Sequence, residues 1–393
     1  MNHEDTLRPY LERLQRRALV VGVAALGLSA VGFFTAPDDF FRSYLLGYFF
    51  WTGIALGSLA LLLLHHIFGA GWGFVIQRPL EAAARTVALL AVLFLPLLAG
   101  MHSLYEWSHA EAVAADPVLQ QKSAYLNAGF FAARVVFYFL AWLGIAHLLS
   151  RWSRQLDSSG DAKLVNRLRN AGPPGLLVYG LTATFASVDW VMSLDPHWFS
   201  TMFGLMLIAG QVLSALAFVT LVTALLRQHQ PLAGVLRPEH LHDHGTLMFA
   251  FVMIWAYLSF SQFLIIWSGN VPETITWYHS RSAGGWETLA LGLVALHFAL
   301  PFALLLSRYN KRRADILAGV AGLLLVMRLA DLFWIMMPTF HPQGLRLHWL
   351  DPVVTIGIGG VWLAFYFYQL KGRPLIPQKD PRMVEALADV EAH

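Results

Sequence analysis

Ten long apolar stretches are the feature that most constrains the fold of this 393-residue chain. A helix needs about 20 mostly apolar residues to cross the hydrocarbon core of a bilayer, and the stretches are close to that length or longer. They lie at 18–34, 44–68, 86–107, 127–150, 174–194, 201–226, 244–268, 286–308, 314–337 and 350–370. Strands of a membrane barrel would instead be short segments of alternating hydrophobicity. The sequence therefore predicts an all-α integral membrane protein with ten transmembrane helices.

The connections between these stretches are too short to hold a soluble domain. The longest runs over about 151–173, so residues 1–393 are predicted to form a single polytopic membrane domain that ends in a tail at 371–393. Basic residues precede the first stretch, as they do in a signal peptide. The stretch is long for the apolar core of a signal peptide, however, and Phe33 to Pro37 is a poor small-residue cleavage site. We therefore expect it to remain as a span.

The basic residues indicate how the chain crosses the membrane. Of the 27 Lys and Arg residues, 21 lie on the predicted side that holds both termini and four on the other side. The remaining two, Arg134 and Arg328, fall inside predicted spans. Since cytoplasmic loops carry the excess of Lys and Arg, both termini are predicted to be cytoplasmic.

Composition excludes several classes of protein. Hydrophobic residues make up 57% of the chain and charged residues 13%, against about 25% charged in soluble domains. A net charge of +3 is too small for a nucleic-acid partner. The chain has no cysteine, so it has no disulfide, no cysteine-ligated cluster and no covalently attached haem. The His-rich run at 240–244 has no second ligand run at metal spacing, so we predict neither a metal site nor a catalytic residue.

Ionisable residues inside the predicted membrane are the first candidates for function, because each is costly unless it is paired or hydrated. In the outer half these are His102, Glu106, Arg134, Asp189, Arg328 and Asp331. His102 and Glu106 are four residues apart, which predicts that they share a helix face. Salt bridges that only fix helix packing are an equal alternative. They would join Arg328 to Asp331 within one helix, and Arg134 to Asp189 or Glu106 between helices.

A second set of titratable residues lies towards the cytoplasmic side. It comprises His65, His66, Asp243 and His244. His297 and Tyr257 lie near the middle of the membrane and are candidates to connect the two sets through ordered water. Polar residues can equally join helices for packing alone. Together, the outer, middle and inner residues are the candidates for a proton path.

Two span ends resemble each other. Residues 189–197 and 331–341 each run through Asp, Trp, Met, Pro and His at the outer boundary. The copies are four spans apart, so they run in the same direction. The repeat predicts two four-helix bundles, at 44–194 (spans 2–5) and 201–337 (spans 6–9), with spans 1 and 10 peripheral. Asp189 and Asp331 would then be equivalent positions.

Four strings resemble a known family. They are YLLGYFFWTGIALGSLALLLLHHIFGAGWGFVIQRPLEAAART (44–86), ASVDWVMSLDPHWFSTMFG (186–204), HDHGTLMFAFVMIWAYLSFSQFLIIWSGNVPETITWY (242–278) and MRLADLFWIMMPTF (327–340). They resemble the membrane protein of bacterial alternative complex III that is often described as its second quinone-binding subunit. That complex is a membrane-bound quinol:electron-acceptor oxidoreductase. More distantly, the chain is similar to the NrfD and polysulfide-reductase membrane subunits. The charged positions inside the matching strings are Asp189, Asp243, His244, Arg328 and Asp331.

The resemblance implies a paired four-helix-bundle subunit in a bacterial inner membrane, surrounded by lipid. It implies three kinds of partner: a related NrfD-like subunit that oxidises menaquinol or ubiquinol, an iron–sulfur subunit and multihaem cytochrome c subunits. The clusters and haem c would reside in those partners, and this chain would bind no cofactor directly, although a quinone is possible. The resemblance implies no nucleic-acid partner.

The predicted function is therefore that of a non-redox subunit that contributes a proton-conducting path and anchors the redox subunits. A first alternative is that the chain itself binds and deprotonates quinol, with His102 and Glu106 each accepting a phenolic proton. A second is a secondary transporter, although the repeat is parallel and the helices lack matched Gly/Pro breaks. A third is a purely structural scaffold.

Overall fold

The computed structural model describes residues 4–377 and 379–383, and it confirms an all-helical fold there. In this part of the chain there are helices and turns but no strand, and ten helices are long and apolar enough to cross a membrane. They are α1 (Glu4–Thr35), α2 (Pro37–Phe68), α3 (Gly71–Ala99), α4 (Ala128–Ser159), α5 (Ala162–Trp190), α6 (Phe203–Leu226), α7 (Pro238–Gly269), α8 (Trp286–Leu306), α9 (Ala314–Phe340) and α10 (Leu350–Leu370). We call the end of the molecule at which α5 and α9 finish the outer end, and the opposite end the inner end.

Two stretches predicted as loops are helical. The third helix begins at Gly71 rather than near 86, and the predicted connection at 151–173 is a continuation of α4 and α5 around a tight turn. Gly160 makes that turn with a φ of 66°, a conformation that favours glycine. The prediction was wrong here because charged residues suggested solvent. Arg78 instead pairs with Glu81 and Asp157, whereas other charged residues of these segments, such as Arg151 and Arg167, are exposed.

Helix α2 is the most enclosed element. In its most apolar window, 94% of the residues are buried, and it packs against α3, α5, α6 and α10. Its sequence is apolar on every face, with mostly Leu, Phe, Gly and Ala, which suits a helix that is surrounded by others. Gly57 lets α2 approach α6, since a Cβ there would overlap the backbone of Gln211.

The remaining helices pack in an ordered way around α2 and α6. Along the chain, α2, α3, α4 and α5 each contact the next, and α5 returns to α2. Likewise α6 contacts α7, α7 contacts α8, α8 contacts α9, and α9 returns to α6. Helix α1 lies along α10, where the backbones of Gly22 and Gly360 meet. Helix α10 also packs on α2 and α3, so it is more enclosed than a peripheral span was expected to be.

Many large apolar side chains remain exposed on the outside of the helices. Phe34 on α1 is 81% exposed and Leu140 on α4 is 64% exposed, and similar residues follow on α5, α7 and α8. Such extensive apolar surface is unusual for a soluble monomer and suits a protein surrounded by lipid.

The described part of the predicted tail folds back onto the inner end. Leu375, Ile376 and Pro377 are buried, and the Arg382 guanidinium lies over the Phe74 ring at 5.6 Å from its centroid. The tail therefore covers the inner ends of α2 and α3. Residues 378 and 384–393 of the predicted tail lie outside the described residues.

Candidate functional site

The Asp189 carboxylate and the Arg134 guanidinium form a buried ion pair between α4 and α5, called the first pair below. Arg134 Nε donates to Asp189 Oδ2 at 2.8 Å, and Arg134 Nη2 donates to Oδ1 at 3.0 Å. The Tyr138 hydroxyl donates to the same Oδ2 at 2.7 Å. Asp189 is completely buried. Three donors thus satisfy its carboxylate, and the pair ties the two helices together.

The loop before α4 holds the other side of Arg134. Its Nη1 donates to the backbone carbonyl of Tyr125 at 2.9 Å. Its guanidinium carbon lies 3.8 Å from the centroid of the Tyr125 ring and 4.4 Å from that of Phe130, distances at which a cation and an aromatic face attract. Of the two partners predicted for Arg134, the structure shows Asp189 and not Glu106.

Arg328 and Asp331 form the second pair, three residues apart within α9, which confirms the predicted pairing. Both side chains are buried. Trp255 Nε1, from α7, donates to Asp331 Oδ2 at 3.1 Å. Gly210 on α6 provides the space for the guanidinium, because a Cβ there would overlap Arg328. The ion pair of the second pair is thus formed within α9, and the neighbouring helices α6 and α7 enclose it.

His297 lies in α8, against the same tryptophan. Its ring centroid is 4.4 Å from that of Trp255, edge to face, and its side chain is completely buried. Neither ring nitrogen has a hydrogen-bond partner among the described residues. An unsatisfied buried polar group costs about 1–3 kcal/mol. Residues Val294–Ala299 form a π-helical turn, a distortion that is frequent at functional sites. His297 is thus a buried titratable ring whose hydrogen-bonding capacity the described residues do not use.

The inner end holds a second group of buried histidines. His65 and His66 at the end of α2 are fully buried, and their ring centroids are 5.3 Å apart. Within the part of the chain that the structure describes, all four of their ring nitrogens lack a hydrogen-bond partner. Gly73 leaves room for His65, since a Cβ there would overlap its ring. His244 Nε2 donates to the Trp72 carbonyl at 2.9 Å.

Sequence reasoning missed a network of charges beside these histidines. The Glu81 carboxylate accepts from Arg78 Nη1 at 2.9 Å, from Ser153 Oγ at 2.6 Å and from Arg373 Nη1 at 2.6 Å. Arg78 Nη2 also donates to Asp157 at 2.6 Å. We expected Arg78 in a loop and did not single out Glu81. The spacing of the two residues, three apart, was the available signal for a pair on one helix face.

His102 and Glu106 do not share a helix face, so that prediction is wrong. The helical turn that contains His102 ends at Leu104, and Tyr105 is extended, with φ −119° and ψ 118°. Glu106 begins a separate 3₁₀ turn. Both side chains are exposed, and His102 Nδ1 lies 3.1 Å from Ser108 Oγ.

Tyr257 and Asp243 also lie away from the buried groups. Tyr257, predicted to connect the outer and inner sets, is 67% exposed on the surface of α7. Its helix is apolar on nearly every face, so no pattern in its sequence indicates which face is buried. The Asp243 side chain is 49% exposed and lies 3.7 Å from His242 Nδ1, whereas the adjacent His244 is buried as described.

A further charged contact joins two outer loops. His197 Nε2 lies 2.6 Å from Asp116 Oδ2, and the backbone N–H of Val118 donates to Asp116 Oδ1 at 2.7 Å. The hydrogen bond from His197, followed by that from Val118, lowers the pKa of Asp116 below its usual value. This contact ties the loop before α4 to the loop after α5.

Metal ligands are not grouped in the described ranges, 4–377 and 379–383. There, no three His, Asp or Glu side chains are close enough together to hold a metal ion. No protein-family model matches the chain, and no curated protein matches it at a significant level.

Proposed function

We propose that this chain is a membrane subunit of a respiratory quinol:electron-carrier oxidoreductase of the alternative complex III type. In that assembly it contributes a proton-conducting path and anchors the redox subunits, which hold the iron–sulfur clusters and haem c. Quinol is oxidised by the related membrane subunit. The proposal rests on the resemblance of the four strings, and it is supported by the burial of Asp189, Trp255 and Asp331, which those strings contain.

The proposed architecture is two four-helix bundles, α2–α5 and α6–α9, in a bacterial inner membrane with both termini cytoplasmic. The closed order of contacts within each group of four helices supports it. So does the concentration of Lys and Arg at the inner end, because cytoplasmic segments carry the excess of these residues.

The observation that carries the proton path is the position of His297. Its imidazole packs against Trp255, and Trp255 donates to Asp331. A titratable ring without a hydrogen-bond partner among the described residues therefore lies one side chain away from a buried carboxylate. We assign His297 and Asp331 to holding and exchanging a proton through bound water. The positive charge of Arg328 lies beside them, and the first pair holds α4 against α5.

The inner histidines are the proposed connection to the cytoplasmic side. His65, His66 and His244 are buried at the inner ends of α2 and α7. The His65 ring packs against Trp72, and His244 donates to the Trp72 carbonyl. Imidazoles exchange protons near neutral pH when water reaches them. The tail covers this region, and Arg382 lies next to the backbone of His66.

The proposal is tested by purifying the tagged chain from its native membrane in mild detergent. We expect a visible spectrum of haem c, and we expect mass spectrometry to identify an iron–sulfur protein and a second membrane subunit of related sequence. A colourless chain that purifies alone, in a detergent that preserves the other respiratory complexes of that membrane, would contradict the proposal and favour the secondary transporter.

A further inference from the structure

A cleft at the inner side of the protein is lined by three arginines. It lies between α3, α4 and the start of the tail, and it has a volume of about 470 Å³. Arg85, Arg154 and Arg373 line it, together with Asp157 and Ser158. The three guanidinium groups come from three separate elements, so the fold itself brings their charges together.

The positive charge of the cleft is incompletely neutralised. Glu81 and Asp157 are the carboxylates that act on Arg373. Both accept hydrogen bonds from the buried Arg78, and Glu81 also accepts from Arg373. Among the described residues, two carboxylates thus face four arginines when Arg85 and Arg154 are included, which is a surplus of two positive charges in that part of the chain.

Two of the arginines have N–H groups without an acceptor among the described residues. Arg85 Nη2 donates to the backbone carbonyl of Gln369 at 2.9 Å, but its buried Nε has no partner among the described residues. Arg154 is exposed and forms no ion pair with a carboxylate in the part of the chain that the structure describes. Guanidinium groups in such an arrangement match the geometry of a phosphate.

The cleft lies where the surface changes from apolar to charged. On α4 the exposed residues include Phe137, Leu140 and Leu148, and then Arg151 and Arg154 follow. Helix α10 ends at Leu370 after 21 residues, a length of about 30 Å, which matches the hydrocarbon core of a bilayer. Arg85 binds the carbonyl one residue before that end. The cleft is therefore at the depth of lipid headgroups.

We propose that this cleft binds the phosphate group of an anionic phospholipid, with Arg85, Arg154 and Arg373 as its ligands. The site is separate from the buried pairs, and it does not depend on the respiratory function proposed above. Basic pockets on the cytoplasmic side of membrane proteins are a common means of binding such headgroups.

The experiment uses the full chain, purified and washed free of lipid in detergent. Native mass spectrometry follows the binding of phosphatidylglycerol and of phosphatidylcholine, and the Tm is measured with each lipid and with inorganic phosphate. We expect preferential binding of phosphatidylglycerol. Arg154→Ala should weaken that binding roughly fivefold, the effect of about one basic side chain at an anionic lipid surface. Arg151→Ala is the matched control, because Arg151 is exposed on the same helix but does not line the cleft.

Arg85→Gln is a second variant that removes charge from the cleft, and it should weaken binding in the same direction. Equal phosphatidylglycerol affinity in the native chain and in both variants would overturn the proposal, as would equal binding of the two lipids. A rise in Tm that inorganic phosphate produces as fully as phosphatidylglycerol would also overturn it, because the site would then belong to the free anion.

Discussion

The aspartates of the first and second pairs lie in similar strings, but the protein holds the two pairs differently. Arg134 and Asp189 join two helices, and three donors reach the carboxylate. Arg328 and Asp331 pair within one helix, with Trp255 as the neighbouring donor. Asp189 lies one residue before the end of α5, whereas Asp331 lies nine residues before the end of α9. Similar strings therefore place their aspartates at different distances from the ends of their helices.

This difference separates a structural role from a chemical one. The first pair connects α4 to α5 and encloses its carboxylate, so its removal should affect folding most. The second pair lies beside His297, which has no hydrogen-bond partner among the described residues, so changes there should affect proton exchange more than the fold. The predictions below test this separation.

Asp189→Ala should cause the largest loss of stability. It leaves the Arg134 guanidinium buried without its counterion and removes the acceptor of the Tyr138 hydroxyl. Removing one partner of a buried ion pair costs about 3–5 kcal/mol. The free energy of unfolding in detergent measures the loss. Replacing both members of the pair, by Arg134→Met and Asp189→Leu, should recover part of it. If Asp189→Ala is as stable as the native chain, the first pair does not stabilise the packing of α4 against α5.

Gly210→Ala should be the next largest change, and it acts on the second pair. The added Cβ overlaps the Arg328 guanidinium, and such overpacking typically costs about 1–3 kcal/mol. Gly322→Ala on α9 is the matched control, since a Cβ at that position meets nothing within 4 Å. The control should stabilise the protein by about 0.5–1 kcal/mol. Equal effects of the two substitutions would contradict the close packing described for Arg328.

Part of the fold and part of the candidate site could be predicted from the sequence. The number of spans, the class of fold and the pairing of Arg328 with Asp331 followed from hydropathy and from spacing along one helix. The position of Tyr257 and the network around Glu81 did not. Which face of a uniformly apolar helix is buried depends on neighbours that are distant in sequence. A charged residue such as Arg78 is assigned to a loop until its partners on other elements are known.

His297→Leu should separate stability from function. The buried imidazole has no hydrogen-bond partner among the described residues, so an apolar side chain there should change the free energy of unfolding by less than about 1 kcal/mol or increase it. Proton release per quinol oxidised should nevertheless fall in the purified complex. His109→Leu, at an exposed position, is the control. Unchanged proton release in His297→Leu would remove His297 from the path.

The smallest effect is expected at the contact between Asp116 and His197. The hydrogen bond from His197 lowers the pKa of Asp116, so the unfolded chain binds more protons than the folded one just below the usual pKa of an aspartate. The stabilisation is therefore present at neutral pH and is lost as the pH falls through the lowered pKa. Exposed pairs contribute little. The Tm of the native chain and of Asp116→Asn should differ at neutral pH and converge in acid. A gap that is constant with pH would contradict this.

The most direct test of the central claim is the infrared difference spectrum of the purified chain as the pH is changed. A carboxylic acid that gains or loses a proton produces a C=O band, and substitution identifies the residue responsible. We predict that Asp331→Asn loses a carboxyl band that the native chain and Asp189→Asn both show, because the second pair and not the first exchanges protons. A band that persists in Asp331→Asn and disappears in Asp189→Asn would contradict the account.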